Sequence, residues 1–202
     1  MGFGLLFAGY ITLLTFKIIP IGVIGAPLML AGLTKLCRHE AGFKPAKVMS
    51  AVMTVYFAVF LVLRILNLTG YAELISEKAK DIVIFSDELI YYVIFFLFGL
   101  FLNKGLFKIC TAVGYEKGIR KVRLCSAFLN VVGLGSVVRF ALYFTKYGPA
   151  LRAPLLLFEL LCLIFTSILI YSCYMMIATQ QMLDDEQEKI KKYDERHTKK
   201  LK

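Results

Sequence analysis

Residues 124–178 read LCSAFLNVVGLGSVVRFALYF, then TKYGPALR, then APLLLFELLCLIFTSILIYSCYMMIA. Two apolar stretches of 21 and 26 residues flank a short polar turn, Thr145-Lys146-Tyr147-Gly148-Pro149. A helix needs about 20 apolar residues to cross a bilayer. The segment therefore reads as a membrane hairpin. Its first arm carries Arg139 and its second carries Glu159, each ten residues from Pro149. An antiparallel hairpin places the two at about the same depth. A charge in hydrocarbon costs roughly 3 kcal/mol or more unless it meets a partner or water. The expectation is an Arg139–Glu159 pair, with Glu159 as the one carboxylate deep in an apolar span.

The rest of the chain repeats this pattern. Of its 202 residues, 59% are hydrophobic, against about 45–50% in soluble domains. The runs lack the polar–apolar alternation of a membrane barrel. The fold class is all-α: a polytopic membrane protein of six transmembrane helices in three antiparallel hairpins. Residues 1–180 form the transmembrane domain and 181–202 a charged helical tail. The first arm, Gly2 to Phe16, is short, and Lys17 follows it. Ile18 to Leu36 is broken by Pro20, Gly22, Gly25 and Pro27. One helix of 35 residues would be about 52 Å long, too long for a core of about 30 Å. The residues leave two readings, a crossing pair or a re-entrant loop. No charge precedes Lys17, unlike the start of a secretory signal.

The third span runs from Val48 to about Asn67, and the fourth from Glu88 to about Leu102. Between them, apolar residues at 71, 74, 75, 82 and 85 suggest a short interfacial helix. Ser86-Asp87-Glu88 is the predicted start of the next span, because oxygen side chains cap free backbone N–H groups. Asn103 to Arg123 reads as a basic loop.

Charge fixes the frame. Lys and Arg collect in cytoplasmic segments. The segments after spans two and four, with the tail, hold seventeen of the 24 basic residues; the opposite segments hold five. Both termini are then cytoplasmic, in a plasma membrane. The net charge of +10 is explained by topology, so no nucleic acid partner is expected. Anionic lipid at the cytoplasmic face is the expected partner of the basic segments. The tail, with acid-before-base pairs such as Asp185–Lys189, is either a solvated helix or a helix that binds a protein partner.

In this frame Arg64, Arg139 and Glu159 fall in the outer third of the membrane, with Asn67 near Arg64. Glu159, Cys162, Thr166 and Cys173 share a helical face. These charged and polar residues form either an outward-open chamber for an ion or polar ligand, or a structural clamp with snorkelling arginines. Gly22, Gly25, Gly32, Gly133 and Gly135 permit close helix contact. Asn130, on a face with Ser126 and Gly133, suggests a hydrogen bond across helices.

Catalysis is disfavoured. Both histidines, His39 and His197, lie outside the spans, so a metalloprotease or a Ser–His dyad lacks a needed group. The five cysteines match no standard metal spacing and no disulfide framework. No cofactor is expected. Two functions remain: a small transport or ligand-binding subunit, or a non-catalytic regulatory protein working through its basic face and tail.

Overall fold

Helix-forming runs and the breakers between them set the layout. A computed structural model of the chain describes residues 2–15, 22–38, 40–68, 77–143, 145, 147 and 150–200; within these it leaves out the side chains at 14, 15, 22, 64, 66–68, 77–81 and 177–200. It contains six helices: α1 Gly2–Thr15, α2 Gly22–Leu36, α3 Lys44–Leu68, α4 Glu77–Ala112, α5 Glu116–Ala141 and α6 Arg152–Lys200. A single 3-10 turn, Ala41–Phe43, precedes α3, and the Glu40 carboxylate caps it by accepting from Gly42 N at 3.0 Å.

Among the described residues, four helical segments are long and apolar enough to cross a membrane: Ala41–Leu63, Ile82–Ala112, Glu116–Ala141 and Arg152–Met176. The surface agrees. Leu134 is 70% exposed and Val137 67%, whereas Arg139 is 4% and Glu159 3% exposed. Apolar side chains face outward and charges inward, as contact with lipid requires. The described chain is thus all-α, with the helix lengths and apolar surface that suit a multi-pass membrane protein. The α1 and α2 helices are 14 and 15 residues, or about 21 and 22 Å long.

Helices pack in chain order, and α1 returns to lie against α6, which closes a ring. Tyr10 of α1 stacks on Phe98 of α4 at 6.3 Å across the interior. Within the α1–α2 pair the backbones approach closely. A Cβ at Gly9 would lie 2.5 Å from the Gly25 carbonyl oxygen, and one at Gly25 would lie 1.6 Å from Thr12 Oγ1. Only glycine fits both positions, which is the close contact expected of Gly25.

One end of the ring gathers the basic segments. Phe3 meets Phe43 edge-on at 6.3 Å, Lys121 Nζ donates to Ser172 Oγ at 3.0 Å, and Cys110 Sγ lies 3.8 Å from Cys173 Sγ. The start of α1, the α2–α3 connection, the α4–α5 turn and the continuation of α6 all lie at this basic end. The other end is the far end.

Three expectations change. Asn103 to Arg123 is helical except at 113–115. There Gly114, at φ 70°, ends α4: Tyr115 N donates to Cys110 O at 2.8 Å and Gly114 N to Thr111 O at 3.2 Å. These are the paired bonds of a glycine-terminated helix. The helix starting at Ser86-Asp87-Glu88 is also replaced, because α4 already begins at Glu77. Residues 77–88 contain no glycine or proline, and Asp87 accepts from Tyr56 Oη at 2.8 Å instead of capping a backbone. The separate interfacial helix accordingly becomes, for residues 77–87, the first turns of α4; its remaining residues, 71–76, lie outside the described residues.

Candidate functional site

The α4 helix is the hub of the far end. Glu88, Tyr91 and Tyr92 stand at i, i+3 and i+4, so they share a face. Continuing α4 above Glu88 buries this carboxylate among neighbours instead of leaving it at a helix mouth. Arg139 Nη2 donates to Glu88 Oε2, and Arg152 Nη2 lies 3.2 Å from Glu88 Oε1. The side chains of Arg139 and Glu88 are 5% and 18% exposed, and that of Arg152 is 65%. One guanidinium is therefore sealed in and the other reaches the surface. Arg139 sits in the last turn of α5, where free carbonyls favour a cation.

Glu159, on α6, faces the same helix one turn further in. Tyr91 Oη donates to its Oε1 at 2.6 Å and Tyr92 Oη to its Oε2 at 3.2 Å. Hydrogen bonds to an ionised acceptor are short and strong. Aromatic rings wall the pair. Tyr91 lies 6.4 Å from Tyr56 and 6.0 Å from Phe95, and Tyr92 lies 5.9 Å from Phe140. The Arg139 guanidinium sits 6.0 Å from the Tyr92 centroid and 5.5 Å from that of Phe140, within cation–π range. Its Nε has no hydrogen-bond partner among the described residues.

The expected Arg139–Glu159 ion pair is not formed. Both side chains turn to α4, where Arg139 takes Glu88 and Glu159 takes two phenols. Glu159 is the one carboxylate among the buried described residues, and the half-buried Asp87 and Glu88 join it in the layer. Thr166 is buried but lies about 10 Å further along α6, among Tyr10, Cys125 and Cys162. Arg64 and Asn67 belong to the last turns of α3, and their side chains lie outside the described residues. The bond anticipated for Asn130 is made by Ser126, which accepts from Asn103 Nδ2 of α4 at 3.3 Å.

The sequence reading missed Asp87, Glu88, Tyr56, Tyr91 and Tyr92 as site residues. The spacing of Glu88, Tyr91 and Tyr92 on one face was the available signal; treating Ser86-Asp87-Glu88 as a helix mouth hid it. The result is a continuous polar layer across α3, α4, α5 and α6, with Arg152 at its solvent edge. Chemically, such a layer can hold a charge in an aromatic-lined setting. No family model matches this chain, and neither the curated proteins nor the solved structures give a match.

Proposed function

We propose that the chain is a small transport or ligand-binding membrane subunit whose polar site is the far-end layer. The supporting observation is Glu159, a buried carboxylate on two phenol hydroxyls, in a network that reaches the surface at Arg152. Burying so many titratable groups among rings is expensive unless function or packing requires it. In this reading six helices cross the membrane as three hairpins. The basic end and both termini are cytoplasmic, and the site lies in the outer third of a plasma membrane. The seventeen-to-five distribution of basic residues supports that frame.

The ligand is an ion or a small polar molecule. The test is thermal unfolding of detergent-solubilised protein against a panel of small cations, amines and zwitterions. A ligand that raises the midpoint of the wild type and leaves Glu159→Gln unmoved supports the site. A panel that shifts both proteins equally, or neither, refutes it. Topology is tested by single cysteines in a cysteine-free background, labelled with an impermeant reagent. Positions 17 and 78 should label from outside and position 199 should not. Label at 78 without label at 17 would replace the first crossing pair by a re-entrant loop.

A second reading is favoured by one observation. The α6 helix continues unbroken from its apolar part to Lys200, about 36 Å beyond Met176 at 1.5 Å per residue. Such an arm suits a protein partner, and the chain would then regulate that partner from the cytoplasmic face. Removing residues 181–202 separates the readings: ligand stabilisation survives in the first, partner co-purification is lost in the second.

A further inference from the structure

Away from the far-end layer, two buried side chains, Asn103 and Ser167, each leave an oxygen without a hydrogen-bond partner among the described residues. Asn103 of α4 is 4% exposed; its Nδ2 donates to Ser126 Oγ, and its Oδ1 has no hydrogen-bond partner among the described residues. A buried amide oxygen in this state is unfavourable. Asn103 lines a groove of about 430 Å³ between α4 and α5, together with Leu100, Lys104, Arg123, Ser126 and Asn130. Lys104 and Arg123 stand exposed at its basic-end rim. Among the described residues neither makes an ion pair, although Arg139 and Arg152 both do.

The groove is graded along its length. Two cations lie toward its basic end, with Phe107 of α4 and Val122 of α5 beside them. An amide and a hydroxyl follow. Ser126 is three residues, or about 4.5 Å, beyond Arg123 along α5. Beyond them the walls are apolar, with Leu100 on α4 and Leu129 on α5. A soluble anion would use only the rim. An amphiphile would use the whole length.

We infer that this groove binds one anionic phospholipid, with Lys104 and Arg123 on its phosphate, a lipid hydroxyl donating to Asn103 Oδ1, and an acyl chain along Leu100 and Leu129. The phosphate supplies the missing counter-charge, and cations of this kind near a membrane surface favour anionic lipid. The hydroxyl supplies the missing donor. A hydroxyl on the second carbon from the phosphate, as in phosphatidylglycerol, is a donor that can accompany the phosphate, and Asn103 adjoins Lys104 in the chain. The inference rests only on the membrane placement of the chain. It stands whether or not the far-end layer binds anything.

The experiment is native mass spectrometry of the full chain in a non-ionic detergent, where no charged surface attracts lipid diffusely. The wild type should hold one phosphatidylglycerol. Phosphatidylethanol, of equal charge but without the hydroxyl, should bind about fivefold more weakly, as loss of one hydrogen bond implies. Asn103→Ala should erase that difference. Lys104→Gln with Arg123→Gln should weaken binding about tenfold or more. Lys117→Gln with Arg120→Gln removes the same charge from the same end outside the groove and should stay within about twofold. Equal losses in the two double variants, or equal binding of the two lipids to the wild type, would overturn the proposal. Competition by soluble glycerol 3-phosphate at lipid concentrations would overturn the lipid and leave a phosphate site. Should the Lys104–Arg123 variant fail to fold, Asn103→Ala with the two lipids decides alone.

Discussion

Glu88 holds two guanidinium groups that differ mainly in burial, and this allows a test with an internal control. Glu88→Gln keeps the shape of the side chain and removes its charge. Arg139, with 5% of its side chain exposed, then has no counter-charge on Glu88. Stranding one member of a buried pair costs on the order of 3 kcal/mol. For a chain of about this size that is a fall of about 6–12 °C in the unfolding midpoint. Arg139→Gln should cost less, because Glu88 keeps Arg152 at 3.2 Å and its side chain is 18% exposed. Arg152 touches the other carboxylate oxygen at 3.2 Å, but its side chain is 65% exposed. Its contribution is screened, so Arg152→Gln should change stability by less than about 1 kcal/mol. The assay is thermal unfolding in one detergent for the wild type, the three single variants and the Glu88–Arg139 double variant. The double variant should recover part of the loss, because neither charge then lacks its partner. Additive losses, or an Arg152 effect as large as that of Arg139, would refute the reasoning. Repeating the cycle with Glu159 in place of Glu88 should give weaker coupling to Arg139, because Tyr92 stands between them.

The two phenols on Glu159 should differ. Tyr91→Phe removes a 2.6 Å bond and Tyr92→Phe a 3.2 Å bond, so Tyr91→Phe should lose more of the about 1.5–3 kcal/mol that such a bond to a charge provides; equal midpoints for the two variants would count against the geometry. Gly9→Ala places a methyl 2.5 Å from the Gly25 carbonyl oxygen and 2.7 Å from Met29 N, whereas Gly4→Ala meets nothing within 4 Å. The first should lose about 1–3 kcal/mol by overpacking and the second gain a few tenths from helix propensity, as read by unfolding midpoints. Cys37 is half-buried beyond the end of α2, and burial raises its thiol pKa while Lys47 and Lys44 pull it down. A raised pKa means less thiolate at a given pH, so its maleimide labelling rate should still climb at pH 9; a plateau near pH 8 would contradict the burial. The other four cysteines are buried and should label only after unfolding.

Membrane class was legible because it depends on composition and run length, which need no tertiary contact. Four of the apolar runs became helices long enough to cross. Helix ends were less legible. At Gly114 a glycine between two basic helical turns marked a stop, but the density of charge around it suggested a loop. At Ser86-Asp87-Glu88 the opposite error occurred: polar residues in a capping pattern lie inside a helix. A cap is favourable only while a backbone N–H needs a partner. In α4 the N–H groups at that point are already used by the helix that starts at Glu77. Asp87 is then available to Tyr56 and Glu88 to two arginines.

The far-end layer shows why depth was easier to read than partnership. Counting residues from Pro149 placed Arg139 and Glu159 at comparable depth, and both are buried near the far end. Counting does not give the direction in which a side chain leaves its helix. That direction is set by the ring. Both α5 and α6 have α4 as a neighbour, so charges on adjacent helices can turn to a third helix instead of to each other. On α4 the choice is chemical. Glu88 offers charge to a guanidinium, and the phenols of Tyr91 and Tyr92 offer donors to a carboxylate. Each buried group meets the partner that its own protonation pattern requires, and the hairpin pair expected from the sequence gives way to two pairs on one helix face. A single substitution on that face, Glu88→Gln or Tyr91→Phe, should therefore disturb one charge without stranding the other. A direct Arg139–Glu159 pair would not permit that separation.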